Sequence, residues 1–153
     1  LALAARLGAP TTVRWAALLA DLHPEQIAAL GTRLRAPNEF RELALLAARL
    51  ATHLQGGGKP PDQLSADPHW LLTLYELGDA FRRPERFALW LQMLAVRAQS
   101  VGVPTPTVEQ LGARVRTALS AAAAVRLTAA DLRELQGPAL AARLRTLRLA
   151  ALD

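Results

Sequence analysis

Three histidines, a triple glycine, scattered carboxylates and several clustered arginines are the groups in this chain with chemistry to offer. Metal binding needs ligands that converge. Asp21 and His23 are two apart, and residues at that spacing do not share a helix face. His53 falls at the end of a helical stripe, where a cation favours the helix dipole. His69 follows Asp67 and Pro68 in a loop-like start. No ligand pair has usable spacing, so no metal site is expected. Gly56, Gly57 and Gly58 would cradle a phosphate between a strand and a helix N-terminus. Here they follow a helix and run through Lys59 into Pro60 and Pro61, which reads as a connector. Glu39 and Glu42 stand at i, i+3 beside Arg35 and Arg41, an ordinary solvated helix face. The chain has no cysteine, and no serine, threonine or lysine sits in a nucleophile setting, so no catalytic residue is expected.

The arginines say more. Arg33 and Arg35 precede Pro37 at the expected end of a helix. Arg82, Arg83 and Arg86 surround the turn at Pro84, and Arg143, Arg145 and Arg148 lie on the last helix. A guanidinium at a turn or helix end suits phosphate geometry. The same residues can equally stay solvated or pair with neighbours such as Asp79 and Glu85. Net charge is +5 and the isoelectric point about 11.2, with Lys59 the single lysine. That balance favours RNA or DNA over a membrane as partner. Arginine standing in for lysine on an ordinary surface would give the same numbers, so from these residues alone the two readings stand level.

The elements that must position these groups read as all-α. The chain has 153 residues, 52% of them hydrophobic and 20% charged, enough for a packed core. Apolar residues recur at helical spacing and strand alternation is missing. Thr11 or Thr12 can cap a first helix carrying Val13, Ala16, Ala17 and Ala20. Pro24 opens a second with Ile27, Leu30 and Leu34 inward, and Pro37 a third with Phe40, Leu43, Leu46, Ala47 and Leu50. Trp70, Leu74, Leu77 and Phe81 form one face of a fourth. Pro84 begins a fifth with Phe87, Trp90, Leu91 and Leu94 inward. Thr107 can cap a sixth bearing Val108, Leu111, Val115 and Ala118 and running through 121–124. Thr128 caps a short seventh. Pro138 starts the last, with Leu140, Leu144, Leu147 and Ala151 as its stripe. About eight helices in an irregular bundle follow. Residues 1–56 and 67–153 form two helical segments, joined by a Gly/Pro linker at 57–66 and packed as one unit. No apolar run approaches the roughly 18 residues that span a bilayer, and no signal-peptide layout stands at the start. A soluble, cytoplasmic protein is expected. Leu1 lies inside a helical pattern, which suggests a piece of something longer.

Three segments carry a family resemblance. RLRAPNEFRELALLAARL at 33–50, LYELGDAFRRPERF at 74–87 and LQGPALAARLRTLR at 135–148 resemble, in order, stretches of the bacterial CCA-adding enzymes (tRNA nucleotidyltransferases) and their poly(A) polymerase relatives. The resemblance covers that family's C-terminal helical body and tail. It implies tRNA as partner and an N-terminal nucleotidyltransferase head elsewhere in the parent chain. Mg2+ with CTP and ATP would serve that head, and this part needs no cofactor of its own. VRWAALLADLHP at 13–24 resembles a degenerate His-Asp phosphohydrolase signature. Ala20 stands where the signature has histidine, Asp21 and Leu22 are retained, and Ala51 stands where a later histidine is expected. Without those imidazoles the resemblance implies a lost metal site and no hydrolase activity.

The expectation is therefore a tRNA-holding part, inactive alone, with Arg33, Arg35, Arg82, Arg83, Arg86, Arg143, Arg145 and Arg148 as RNA contacts. The alternative is a non-catalytic helical scaffold for protein partners, with an exposed apolar patch near Trp70 or Trp90.

Overall fold

The structure, a computed structural model, describes residues 1–55 and 60–153. Gly56, Gly57, Gly58 and Lys59, on which the connector reading falls, lie outside the described residues. Among the described residues every regular element is a helix, as expected for an all-α chain. The elements are α1 (Ala2–Arg6), α2 (Thr11–Leu19), α3 (Pro24–Arg33), α4 (Asn38–Gln55), α5 (Pro61–Leu64), α6 (Pro68–Leu77), α7 (Pro84–Ser100), α8 (Thr105–Ala124), α9 (Ala129–Glu134) and α10 (Pro138–Ala150). The excess over eight comes from α1 and α5, single turns too short to show a periodic stripe.

The core runs along α2, α4 and α7. Val13, Ala16, Ile27, Leu43, Ala44, Leu46, Leu50, Tyr75, Phe87 and Trp90 are all fully buried in one continuous cluster. Small residues on α2 let α4 and α7 close on it from two sides. Gly31 does the same for α3 on α4, since a Cβ there would lie 2.7 Å from the Arg41 side chain. Around Trp90 the aromatic rings interlock. Phe87 lies 5.2 Å from Trp90 and 5.7 Å from Tyr75, centroid to centroid. The Tyr75 hydroxyl donates to the Val115 carbonyl at 2.8 Å, tying α6 to α8. Burial pushes that phenol far above its usual range.

Several boundaries differ from expectation for identifiable reasons. Neither Thr11 nor Thr12 caps α2: Pro10 sets the extended entry, and Thr11 is already helical. Thr107 likewise lies inside α8, which starts two residues earlier because Pro106 sits where its missing N–H costs nothing. His69 belongs to the first turn of α6, where the Asp67 carboxylate accepts from the backbone N–H groups of His69 and Trp70. The stripe from Trp70 to Phe81 breaks after Leu74. The helix ends at Leu77, which is half exposed, and the chain has turned before Phe81. Leu34 and Ala151 also face solvent, both past the regular part of their helices.

Neither tryptophan makes the exposed patch that a protein scaffold would present. Trp90 is fully buried, and Trp70 is partly covered by the His53 ring stacked on it at 4.9 Å.

Candidate nucleic-acid interface

Two helix ends shape the arginine-bearing turns. At the end of α3 the Ala36 N–H bonds the Gly31 carbonyl and the Arg35 N–H bonds the Thr32 carbonyl. At the end of α6 the Ala80 N–H bonds the Tyr75 carbonyl and the Asp79 N–H bonds that of Glu76. Both are Schellman closures, whose turning residue must take a left-handed conformation and is usually glycine. Where the same closure ends α1 and α7, Gly8 and Gly102 fill that place. Here Arg35 has φ +51° and Asp79 φ +52°. Non-glycine residues held there cost on the order of 1 kcal/mol or more. Both strained positions belong to segments singled out in the sequence.

The eight expected contacts separate by environment. Arg33 and Arg35 are exposed and make no ion pair among the described residues. The Arg82 side chain is 81% exposed and only loosely paired, 3.7 Å from Asp79. Arg83 donates to Glu42 at 2.6 Å. Arg86 lies between Glu42 and Asp79, 3.6 Å from each, with only 17% of its side chain exposed and its Nε buried without an acceptor. It ties α4, the α6–α7 turn and α7 together, a positioning role and not an open contact. On α10, Arg143 donates to Asp131 at 3.1 Å and Arg145 to both oxygens of Glu76 at 3.1 and 3.3 Å. Arg148 stacks on the Phe81 ring, 3.7 Å from its centroid. The α6–α7 segment thus gathers two clusters that are far apart in sequence, with Glu76 and Phe81 receiving α10. Pairing with Asp79 occurs as expected, and Glu42, Glu76 and Asp131 also serve as partners, whereas among the described residues Glu85 forms no ion pair.

Glu42, Phe81 and Arg97 were not legible as site residues. Arg97 forks onto Asp21, at 2.6 and 3.2 Å, and onto the Ala17 carbonyl at 3.2 Å. Asp21 is thus held by a guanidinium from α7, 76 residues away. No local spacing announces such a pair. Among the described residues no three His, Cys, Asp or Glu side chains gather as a metal site would require. No helix among them is long and apolar enough to cross a membrane.

Sequence comparison finds relatives along nearly the whole chain. Over 143 residues, 94% of this chain, 36% of positions are identical to the CCA-adding enzyme of a Pseudomonas putida strain. The CCA-adding enzyme of Pseudomonas entomophila is 35% identical over 144 residues, again 94% of this chain. Along nearly its whole length the chain is therefore similar to part of a CCA-adding enzyme. A multifunctional CCA protein of Leptothrix cholodnii is 36% identical over 130 residues, 82% of this chain. The chain spans only 36% of the length of each of the two Pseudomonas relatives and 29% of the Leptothrix protein. No family model and no solved structure matches it. The family resemblance seen in the three segments is thus confirmed, on a stretch of about one third of a CCA-adding enzyme.

Proposed function

We propose that this chain is the tRNA-holding C-terminal part of a CCA-adding enzyme. In the parent protein an N-terminal head would transfer CMP and AMP from CTP and ATP, with Mg2+, to the tRNA 3′ end. The helical part would hold the acceptor arm and elbow through phosphates and shape, which suits a ligand recognised irrespective of sequence. Such a substrate would place the protein in the cytoplasm. The observation that carries this reading is the match to CCA-adding enzymes along 94% of the chain. The unpaired arginines and the net charge of +5 support it. Within the expected set, Arg33, Arg35 and Arg82 are the open contacts. Arg83, Arg143 and Arg145 would have to exchange a carboxylate for a phosphate. With Ala20 and Ala51 lacking imidazoles, and Asp21 engaged by Arg97, we infer that no phosphohydrolase activity remains.

The test is a titration with labelled full-length tRNA at two salt concentrations, with duplex DNA as competitor. Binding that weakens steeply with salt and competes poorly with DNA supports the proposal. Replacing one true phosphate contact, Arg82→Gln first, should lower the salt slope by roughly 0.7–0.9. Absence of binding at low salt counts against this part holding tRNA by itself.

A further inference from the structure

Exposed apolar side chains gather early in the sequence. Leu7, Leu18, Leu22 and Leu34 are between 36% and 54% exposed, whereas from residue 35 to 100 Leu77 is the one comparably bare large hydrophobic among the described residues. Leu22, Gln26, Ala29, Leu30 and Arg33 line an open hollow of about 290 Å3 along α3. Their spacing puts them on one side of that helix, next to Ile27 and Gly31, which are buried toward α4. Leu30, partly buried against the core, forms the floor. The Gln26 side-chain oxygen accepts from the His23 N–H at 3.0 Å, which fixes the side chain and leaves its amide nitrogen to donate. No carboxylate lines the hollow, and Arg33 makes no ion pair among the described residues. An exposed apolar stripe that carries one uncompensated cation marks a contact surface.

We propose that this hollow seats a helix from the part of a CCA-adding enzyme that lies outside this chain, with an apolar ridge on Leu22, Ala29 and Leu30 and a carboxylate on Arg33. This chain spans only 36% of the length of the two Pseudomonas relatives, so in a protein of that build some surface has to meet the remainder. Leucines and an alanine at helical spacing accept the ridge of a second helix, and the guanidinium selects an acidic group at its edge. RNA is the poorer fit. Among the described residues no aromatic ring lines the hollow, so a base finds no stacking platform. Arg33 then serves this contact and leaves Arg35 and Arg82 as the open arginines of the RNA set. The occupant rests on the CCA-adding reading above, whereas the chemistry of the hollow does not.

The chain has no cysteine, so Ala29→Cys places a single thiol in the hollow, at an exposed position. Its alkylation rate is compared between the 153-residue chain and a chimera in which this chain replaces its counterpart in the Pseudomonas putida enzyme, read at that peptide by mass spectrometry. The rate should fall about tenfold or more in the chimera and recover when Arg33→Glu is added. The Pseudomonas putida enzyme itself, with a thiol at the position aligned with Ala29, decides the outcome should the chimera misfold. Equal reactivity in chain and whole enzyme overturns the docking site, and tRNA binding by the chimera then leaves the CCA-adding reading standing. A protected thiol in a folded chimera that binds no tRNA upholds the site and removes the tRNA-holding reading. Protection that appears only with added tRNA, or that grows with the concentration of the 153-residue chain by itself, overturns the proposal in favour of RNA or of a second copy.

Discussion

Around Trp90 the chain is held by apolar packing, whereas α10 buries no residue completely and is held by arginines. Phe87, Tyr75 and Trp90 are in ring contact and fully excluded from solvent. On α10 the leucines Leu140, Leu144 and Leu147 are only half covered, and Arg143, Arg145 and Arg148 anchor the helix to Asp131, Glu76 and Phe81. Apolar burial is non-directional and not subject to charge screening, while exposed ion pairs are screened. One region therefore fixes the fold, and the other is a latch whose strength follows ionic conditions. The proposal that α10 also meets phosphate gives this latch a second use, because the groups that hold the helix are those a polyanion would compete for.

The comparison is broken most severely at its apolar end. Trp90→Ala removes a fully buried ring from the centre of the cluster. Substitutions of this kind cost about 3–5 kcal/mol, a large share of the 5–15 kcal/mol typical of a whole domain. Chemical denaturation should show one cooperative transition with a sharply lowered midpoint. A loss below about 1 kcal/mol would mean that the core does not rest on this ring.

A gain is expected at Arg35. Its left-handed conformation suits glycine, as Gly8 and Gly102 demonstrate in the same closure. Arg35→Gly should stabilise the fold by roughly 0.5–1 kcal/mol, the relieved strain being partly offset by the freer unfolded chain. If Arg35 is a phosphate contact, the same variant binds tRNA more weakly, so stability and affinity move in opposite directions. A variant more stable and equally tight would take Arg35 off the interface.

The apolar region was legible in the sequence and the latch only in part. Ile27, Leu43, Leu46, Leu50, Phe87 and Trp90 recur at helical spacing, and each lies buried where that spacing puts it. Pro24, Pro84 and Pro138 each open a helix because proline is pre-set for the first turn. Periodicity says nothing of a charged side chain's partner. Glu76 and Arg145 are 69 residues apart, Asp21 and Arg97 76 apart, and only the packed helices bring them together. The arginines of 82–86 were read as one group, yet folding makes Arg86 a tie between helices and leaves Arg82 open.

Glu76→Gln sharpens the contrast from the latch side. It removes the charge that holds Arg145, a pair in which both side chains are about two-fifths exposed. Such pairs contribute about 0.2–1 kcal/mol. Amide hydrogen exchange along α10 should quicken a few-fold, with α4 amides unchanged. Equal acceleration in both helices would show that the latch and the core open together.

The smallest effect concerns pH, at the point where α9 meets α10. Hydrogen bonds from the Thr128 side chain and backbone, and then Arg143, hold the Asp131 carboxyl below the usual carboxylate range. A depressed folded-state pKa stabilises the folded form above the unfolded value, and the contribution disappears as pH falls through the folded one. Acidification below about pH 4 should therefore loosen α9 and the near end of α10 before the Trp90 region responds. An NMR titration of the Asp131 carboxyl carbon reads this directly. Its midpoint should lie below that of an unstructured aspartate and rise in Thr128→Ala, which deletes the first of those hydrogen bonds. Arg143→Gln should move it less, because the Thr128 bonds outweigh the guanidinium at this carboxyl. The reverse order would make Arg143 the principal partner of Asp131, and so a weaker candidate for exchange with phosphate than Arg145.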